Sequence, residues 1–92
     1  MNEMEYDYHK QIEQRFQELR GSPAFLLSVA DWNLITQWRS NGIPLACAIR
    51  GLELAFRQHE AKRKRHEAVN GLKYCSPQVI EEWQKHRKAV AA

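Results

Sequence analysis

The chain has 92 residues and a mass of 10.8 kDa, which at roughly 100–200 residues per domain means a single domain. A two-lobed enzyme, a Rossmann unit with a substrate domain and a (β/α)8 barrel are excluded, and burial of about 60–65% of the unfolded surface supports one modest core with little room for a deep substrate cavity. Hydrophobic residues make up 43% and charged residues 27%, which disfavours disorder, and the net charge is +3.

Four helical segments are predicted. In the first, over about 2–20, Met4, Tyr8, Ile12, Phe16 and Leu19 recur every four or three residues and so share one face. Glu3, Glu5 and Asp7 crowd its start, where the helix dipole favours anions, and Gly21 followed by Ser22-Pro23 ends it. Ser28 and Asp31 form an approximate capping box, with Leu27 and Trp32 placed for a hydrophobic staple. The second helix then spans 29–40, buries Trp32, Leu34, Ile35 and Trp38, and closes at Asn41-Gly42.

The third helix, over about 44–62, opens with Pro44 in its first turn, where a missing N–H costs nothing. Leu45, Ile49, Leu52 and Phe56 form its stripe, and Ala46, Cys47, Ala48 and Gly51 keep the adjoining faces small. A mid-helix glycine costs about 1 kcal/mol against alanine, so Gly51 marks a close approach of another helix. The short connection between the second and third helices demands an αα-hairpin or a helix-turn-helix-like corner.

From Arg57 to Arg65 the apolar stripe stops, and the helix is expected to fray near Lys64. Val69-Asn70-Gly71 reads as a turn, Leu72 and Tyr74 as buried, and Ser76-Pro77 as the N-cap and first residue of a fourth helix over 77–89. Its stripe is Val79, Ile80, Trp83 and Val90. No segment alternates as a half-buried strand does.

Charge is unevenly divided. Residues 1–46 carry four basic and six acidic side chains, whereas residues 47–92 carry ten basic and five acidic. Such asymmetry bears on partners and steering rather than on fold. The basic run at 57–66 has three readings: a nucleic-acid contact, a solvated face that aids solubility, or a surface for an acidic protein. No aromatic residue lies inside it to stack on a base.

The set Trp32, Trp38, Phe56, Tyr74 and Trp83 reads as core, with a pocket lining as the alternative; Trp32 is the member expected to be partly exposed. Tyr6 lies off the main stripe, on a second, partner-facing side of the first helix. The four histidines have no zinc spacing; His9 is expected at the surface and His86 beside a helix C-terminus. Cys47, between alanines in an apolar helix, is expected to be inert, and Cys75 has no histidine or acid placed beside it by sequence. Adjacent Glu81 and Glu82 point in different directions on a helix and are no acid–base pair. Free thiols, an acidic N-terminus without the apolar core of a secretory leader, and no run of about 20 apolar residues predict a cytoplasmic protein without a membrane span.

The segment FLLSVADWNLITQWRSNGIPLACAIRGLELAF, a basic stretch, and then VNGLKYCSPQVIEEW carry a recognisable pattern. Its markers are Asp31-Trp32, Trp38, Gly42-Ile43-Pro44-Leu45, Arg50-Gly51, Val69-Asn70 and Tyr74-Cys75, with residues 12–21 belonging to the same pattern. Over about three quarters of the chain it resembles a family of small bacterial proteins of unassigned function. That resemblance implies an all-helical domain and supplies no catalytic residues. Trp38, Gly42, Ile49, Tyr74, Ile80 and Trp83 are also similar to the C-terminal helical domain of DnaD-type primosomal proteins, which bind DNA. The departure is that Tyr74 and Trp83 lie nine residues apart with Pro77 between them, where that family has eight and no proline.

The expectation is therefore an all-α, compact single-domain bundle of about four helices, acting as a non-enzymatic binding module. Arg57, Lys62, Arg63, Lys64, Arg65, Lys85, Arg87 and Lys88 are the candidate nucleic-acid contacts. The alternative is a protein-interaction adaptor or homodimer that docks through the acidic first helix, with Tyr6 and Trp32 as partner-facing residues. No cofactor, metal or small-molecule substrate is expected.

Overall fold

The computed structural model describes residues 3–21, 26–61 and 71–91, with side chains for 6–21, 26–61 and 71–90. Within them lie four α-helices: α1 (Glu3–Arg20), α2 (Val29–Ser40), α3 (Leu45–Ala61) and α4 (Ser76–Ala91). A 3-10 turn, Leu72–Cys75, runs directly into α4, and no strand occurs among the described residues. The protein is a compact all-α single domain. The turn predicted at Val69-Asn70, the fraying near Lys64 and the burial of Met4 fall outside what is described.

The stripe of α1 forms as its spacing requires. Tyr8, Ile12 and Phe16 are buried and Leu19 packs at the edge of the same core. The fold uses α1 on more than that stripe, because His9 and Glu13 are also buried. Arg15 grips Glu53 of α3 through Nε (3.1 Å) and a second guanidinium nitrogen (2.6 Å). Phe16 meets Phe56 edge-on at 5.6 Å. The apolar face of α1 is thus spent within its own chain, and only its outward side remains for a partner.

The predicted capping box at α2 is present. Asp31 N donates to Ser28 Oγ (3.1 Å), and Ser28 N donates to Asp31 Oδ2 (3.0 Å). The same carboxylate has a second task, because Oδ1 accepts from Leu72 N, 41 positions away, at 3.0 Å. Buried Asp31 therefore caps α2 and also pins the start of the 3-10 turn that feeds α4. This explains a departure at α4. Ser76 is not its N-cap but its first residue, with helical φ −55 and ψ −44, and its N–H donates to Lys73 O. Asp31 caps the 3-10 turn that leads into α4, and Ser76 continues that turn into the helix.

At the other end of α2, Gly42 N donates to Arg39 O and Ile43 N donates to Trp38 O, both at 3.0 Å. These two bonds make a Schellman motif, with Gly42 at φ +82 in the left-handed region that favours glycine and Ile43 buried with Trp38. Pro44 sits one place earlier than expected: its carbonyl accepts from Cys47 N and Ala48 N, so it stands before α3 and not within its first turn.

α3 packs most extensively on α4, and Gly51 is the reason that it can. A Cβ at Gly51 would stand 2.5 Å from Val79 Cα, inside the backbone of α4. The two helices run antiparallel. Gln78 bonds Gln58 (2.9 Å) at one end, Arg50 meets Glu82 (3.5 Å) midway, and Trp83 and His86 flank Pro44 at the other end.

Several core assignments are corrected. Trp38 and Phe56 are buried and Trp32 is partly exposed, as expected, but Trp83 is half-buried and Tyr74 is 44% exposed. Cys75, next to Tyr74, takes the buried place. Val90 is 72% exposed, and it lines a groove beside Asn41, Gly42 and Pro44 instead of entering the core. His9 is not at the surface: it is 1% exposed, stacks on Trp32 at 4.9 Å with 12° between the rings, and bonds Thr36 Oγ1 at 2.9 Å. The Thr36 hydroxyl already donates to Trp32 O (3.0 Å), so Oγ1 accepts and His9 Nε2 carries the proton.

Two stability predictions follow from this packing. Gly51→Ala adds about 1 kcal/mol of helix propensity but overpacks against backbone at a cost of about 1–3 kcal/mol, so the net effect is destabilising and the thermal midpoint falls, as circular dichroism will read. Trp38→Ala should cost about 3–5 kcal/mol in urea titration, and Trp83→Ala distinctly less, because only the former is fully enclosed.

Candidate nucleic-acid interface

The candidate cations fall into separate places. Arg57 is exposed near the C-terminal end of α3, and Lys62, Arg63, Lys64 and Arg65 lie beyond the described residues. Lys85, Arg87 and Lys88 sit at the far end of α4. Because α3 and α4 are antiparallel, that end lies beside Pro44, 13 residues and about 20 Å of helix away from Arg57. Among the described candidates, the fold does not bring Arg57 into one patch with Lys85, Arg87 and Lys88.

Their environments differ as well. Lys85 is engaged with Glu81 (3.4 Å) and Glu82 (3.7 Å). The Arg87 guanidinium lies 5.1 Å from the centre of the Trp83 ring, which holds a planar cation on an aromatic face. Lys88 is exposed and makes no ion pair with a described residue. The partner-facing candidates also diverge: Tyr6 is 55% exposed on the outer side of α1, whereas Trp32 is held against His9.

Sequence reasoning missed Arg39. Its guanidinium stacks 5.5 Å from the centre of the Tyr8 ring, and Tyr8 Oη donates to Ile43 O at 2.9 Å. Arg39 Nε is buried without a hydrogen-bond partner among the described groups. A lone arginine between Trp38 and Ser40 carries no sequence signal. The four-residue spacing of Trp83 and Arg87 did carry one, since side chains at i and i+4 meet on a helix.

Cys47 and Cys75 are free and buried, and burial raises both thiols, Cys75 from 9.0 to about 12. Neither sits in the electropositive setting that a nucleophilic thiolate needs. Burial likewise lifts Tyr8 from 10.0 to about 12, against the opposing pull of Arg39. Among the described residues, no group of three His, Cys, Asp or Glu side chains could hold a metal ion, and no helix is long and apolar enough to cross a membrane.

These features define an all-helical domain whose exposed charge is concentrated in its second half. A family model described as "Uncharacterised protein" matches residues 7–92, and the chain belongs to that family. No curated protein and no solved structure matches it. None of these comparisons gives a DnaD-type protein.

The buried thiol and phenol set a pH dependence. Both groups keep in the fold a proton that the unfolded chain releases from about pH 9 for Cys75 and pH 10 for Tyr8. Stability should be complete below pH 9 and fall as the pH climbs toward 12. Urea midpoints measured across that window will show the decline, and Cys75→Ala will shrink its lower part, to which Cys47 also contributes.

Proposed function

We infer that this protein is a non-enzymatic module of the reducing cytoplasm that binds nucleic acid through the basic residues of its second half. The observation that carries the reading is how folding disposes of charge. Among the described residues from 47 onward, Glu53, Glu81 and Glu82 are held in ion pairs with Arg15, Lys85 and Arg50. Glu60 is the one described carboxylate of this half outside such a pair, while Arg57, Lys73, Arg87 and Lys88 are exposed with no described carboxylate on them. The basic run 62–65 adds four further cations between α3 and the 3-10 turn. A surface left with unmatched cations draws polyanions, and each phosphate that it neutralises releases counterions.

The adaptor reading is the weaker one. The apolar stripe of α1, its natural docking face, is covered by α2 and α3. The DnaD-type likeness adds little, because Tyr74 lies in the 3-10 turn and not on α4 with Trp83.

Fluorescence anisotropy with labelled single-stranded and duplex DNA tests the reading. Binding is expected at low salt and should weaken linearly in log K against log salt. Changing Lys62→Glu, Arg63→Glu, Lys64→Glu and Arg65→Glu together should abolish most of it while the helical circular dichroism persists. No binding at low salt means that the nucleic-acid reading is wrong.

A further inference from the structure

The Schellman turn at Asn41–Pro44 has a groove on each side, and both grooves are lined by Gly42 and Pro44. The smaller, about 290 Å³, contains Arg39 and Tyr8. The larger, about 630 Å³, contains Trp83, Arg87, His86 and Asn41. Each groove therefore presents an arginine stacked on an aromatic ring, at 5.5 Å for Arg39 on Tyr8 and 5.1 Å for Arg87 on Trp83. In the smaller groove the Tyr8 ring is anchored by its bond to Ile43 O, and Arg39 rests on that ring as the cation of the groove. A guanidinium held on an aromatic ring in the wall of a groove is a preorganised partner for a phosphate oxygen.

The larger groove differs in kind. Its half-buried indole, the guanidinium plane upon it, and the imidazole and amide at its edge offer a stacking surface with hydrogen-bonding groups around it. Aromatic rings and guanidinium planes are the surfaces on which unpaired nucleobases stack in single-strand recognition. A duplex keeps its bases stacked along its own axis and presents only edges and phosphates. An acidic peptide would use the cations but has no planar group to match the Trp83–Arg87 stack.

Resting on the nucleic-acid reading above, we propose that the turn at 41–44 is a saddle for a single strand. An unstacked base packs on the Trp83–Arg87 pair, and a neighbouring phosphate crosses the turn to Arg39. Asp7 also lines the smaller groove, where it accepts from Gln11 at 3.1 Å. Its negative charge opposes the phosphate, so its removal should strengthen binding.

The test uses the full chain and four labelled probes of equal length: oligo(dT), an abasic deoxyribose-phosphate oligomer, a duplex, and an oligo-glutamate. Oligo(dT) should bind about tenfold more tightly than the abasic strand, the increment that one or more stacked bases supplies. Duplex and oligo-glutamate should bind more weakly than oligo(dT). Trp83→Leu should erase the preference for oligo(dT) over the abasic strand, and Trp83→Phe should restore most of it. Arg39→Gln should weaken both strands alike and reduce the salt slope by about one, and Asp7→Asn should tighten both. The wild-type comparison of oligo(dT) with the abasic strand needs no variant to fold. Equal binding of those two probes overturns the saddle, as does duplex or oligo-glutamate binding as tight as oligo(dT); with oligo-glutamate, the ligand is instead an acidic protein. Strand binding without base preference leaves the broader nucleic-acid reading standing, whereas binding of none of the nucleic-acid probes removes both.

Discussion

The contact between Gly51 and the backbone of Val79 sets the geometry on which the rest of the molecule depends. With no side chain at Gly51, α4 settles against α3 at a distance that any Cβ would forbid. That approach fixes α4 antiparallel to α3, brings Glu82 to Arg50 and Gln78 to Gln58, and carries Trp83 to Pro44. Everything said about the surface follows from this arrangement. It parts Arg57 from the cations of the α4 end, and it sets Trp83 and Arg87 beside the α2–α3 turn.

Asp31 is the complementary constraint, electrostatic where Gly51 is steric. One carboxylate oxygen closes the capping box of α2, and the other holds Leu72 N at the head of the 3-10 turn. The connection between α3 and α4 is thereby tied to α2 before α4 begins. Removing the carboxylate would open the capping box of α2 and also leave the buried Leu72 N–H unmet, which is more damaging than the loss of an ordinary cap.

Much of this was legible in the chain, for definite reasons. The helical stripes of α1 and α3 are visible because burial repeats at the helical period, and Gly51 stood out because a glycine in mid-helix needs a justification. The Ser28–Asp31 box is visible because capping is local. What escaped is what depends on distant partners. Ser76 reads as a cap because nothing nearby reveals that a 3-10 turn, held at Leu72 by Asp31 41 residues earlier, runs directly into α4. His9 reads as a surface residue until α2 brings Trp32 and Thr36 to it. Val90 and Tyr74 share the pattern of buried residues, but Val90 stands at a groove beside the α2–α3 turn, and at Tyr74 the chain is a 3-10 turn with a different period. The site residues divide in the same way. The lysines and arginines of 57–65 and 85–88 are obvious in composition, while Arg39 matters only through Tyr8 and a groove that three separate elements create.

The division of the cations bears on what kind of ligand the proposed function calls for. A compact anion would be served best by one convergent cluster, whereas the described cations Arg57 and Arg87 stand about 20 Å apart along the α3–α4 pair. A polymer with regularly spaced charge is the ligand that engages both, because its second contact is made at high effective concentration once the first has formed. The internal ion pairs sharpen the same point. Arg50 and Lys85 neutralise Glu82 and Glu81 on the flank between the two ends, so that flank is the less attractive to a polyanion. The net charge of +3 conceals this pattern, and the placement of the unmatched cations carries the information about the partner.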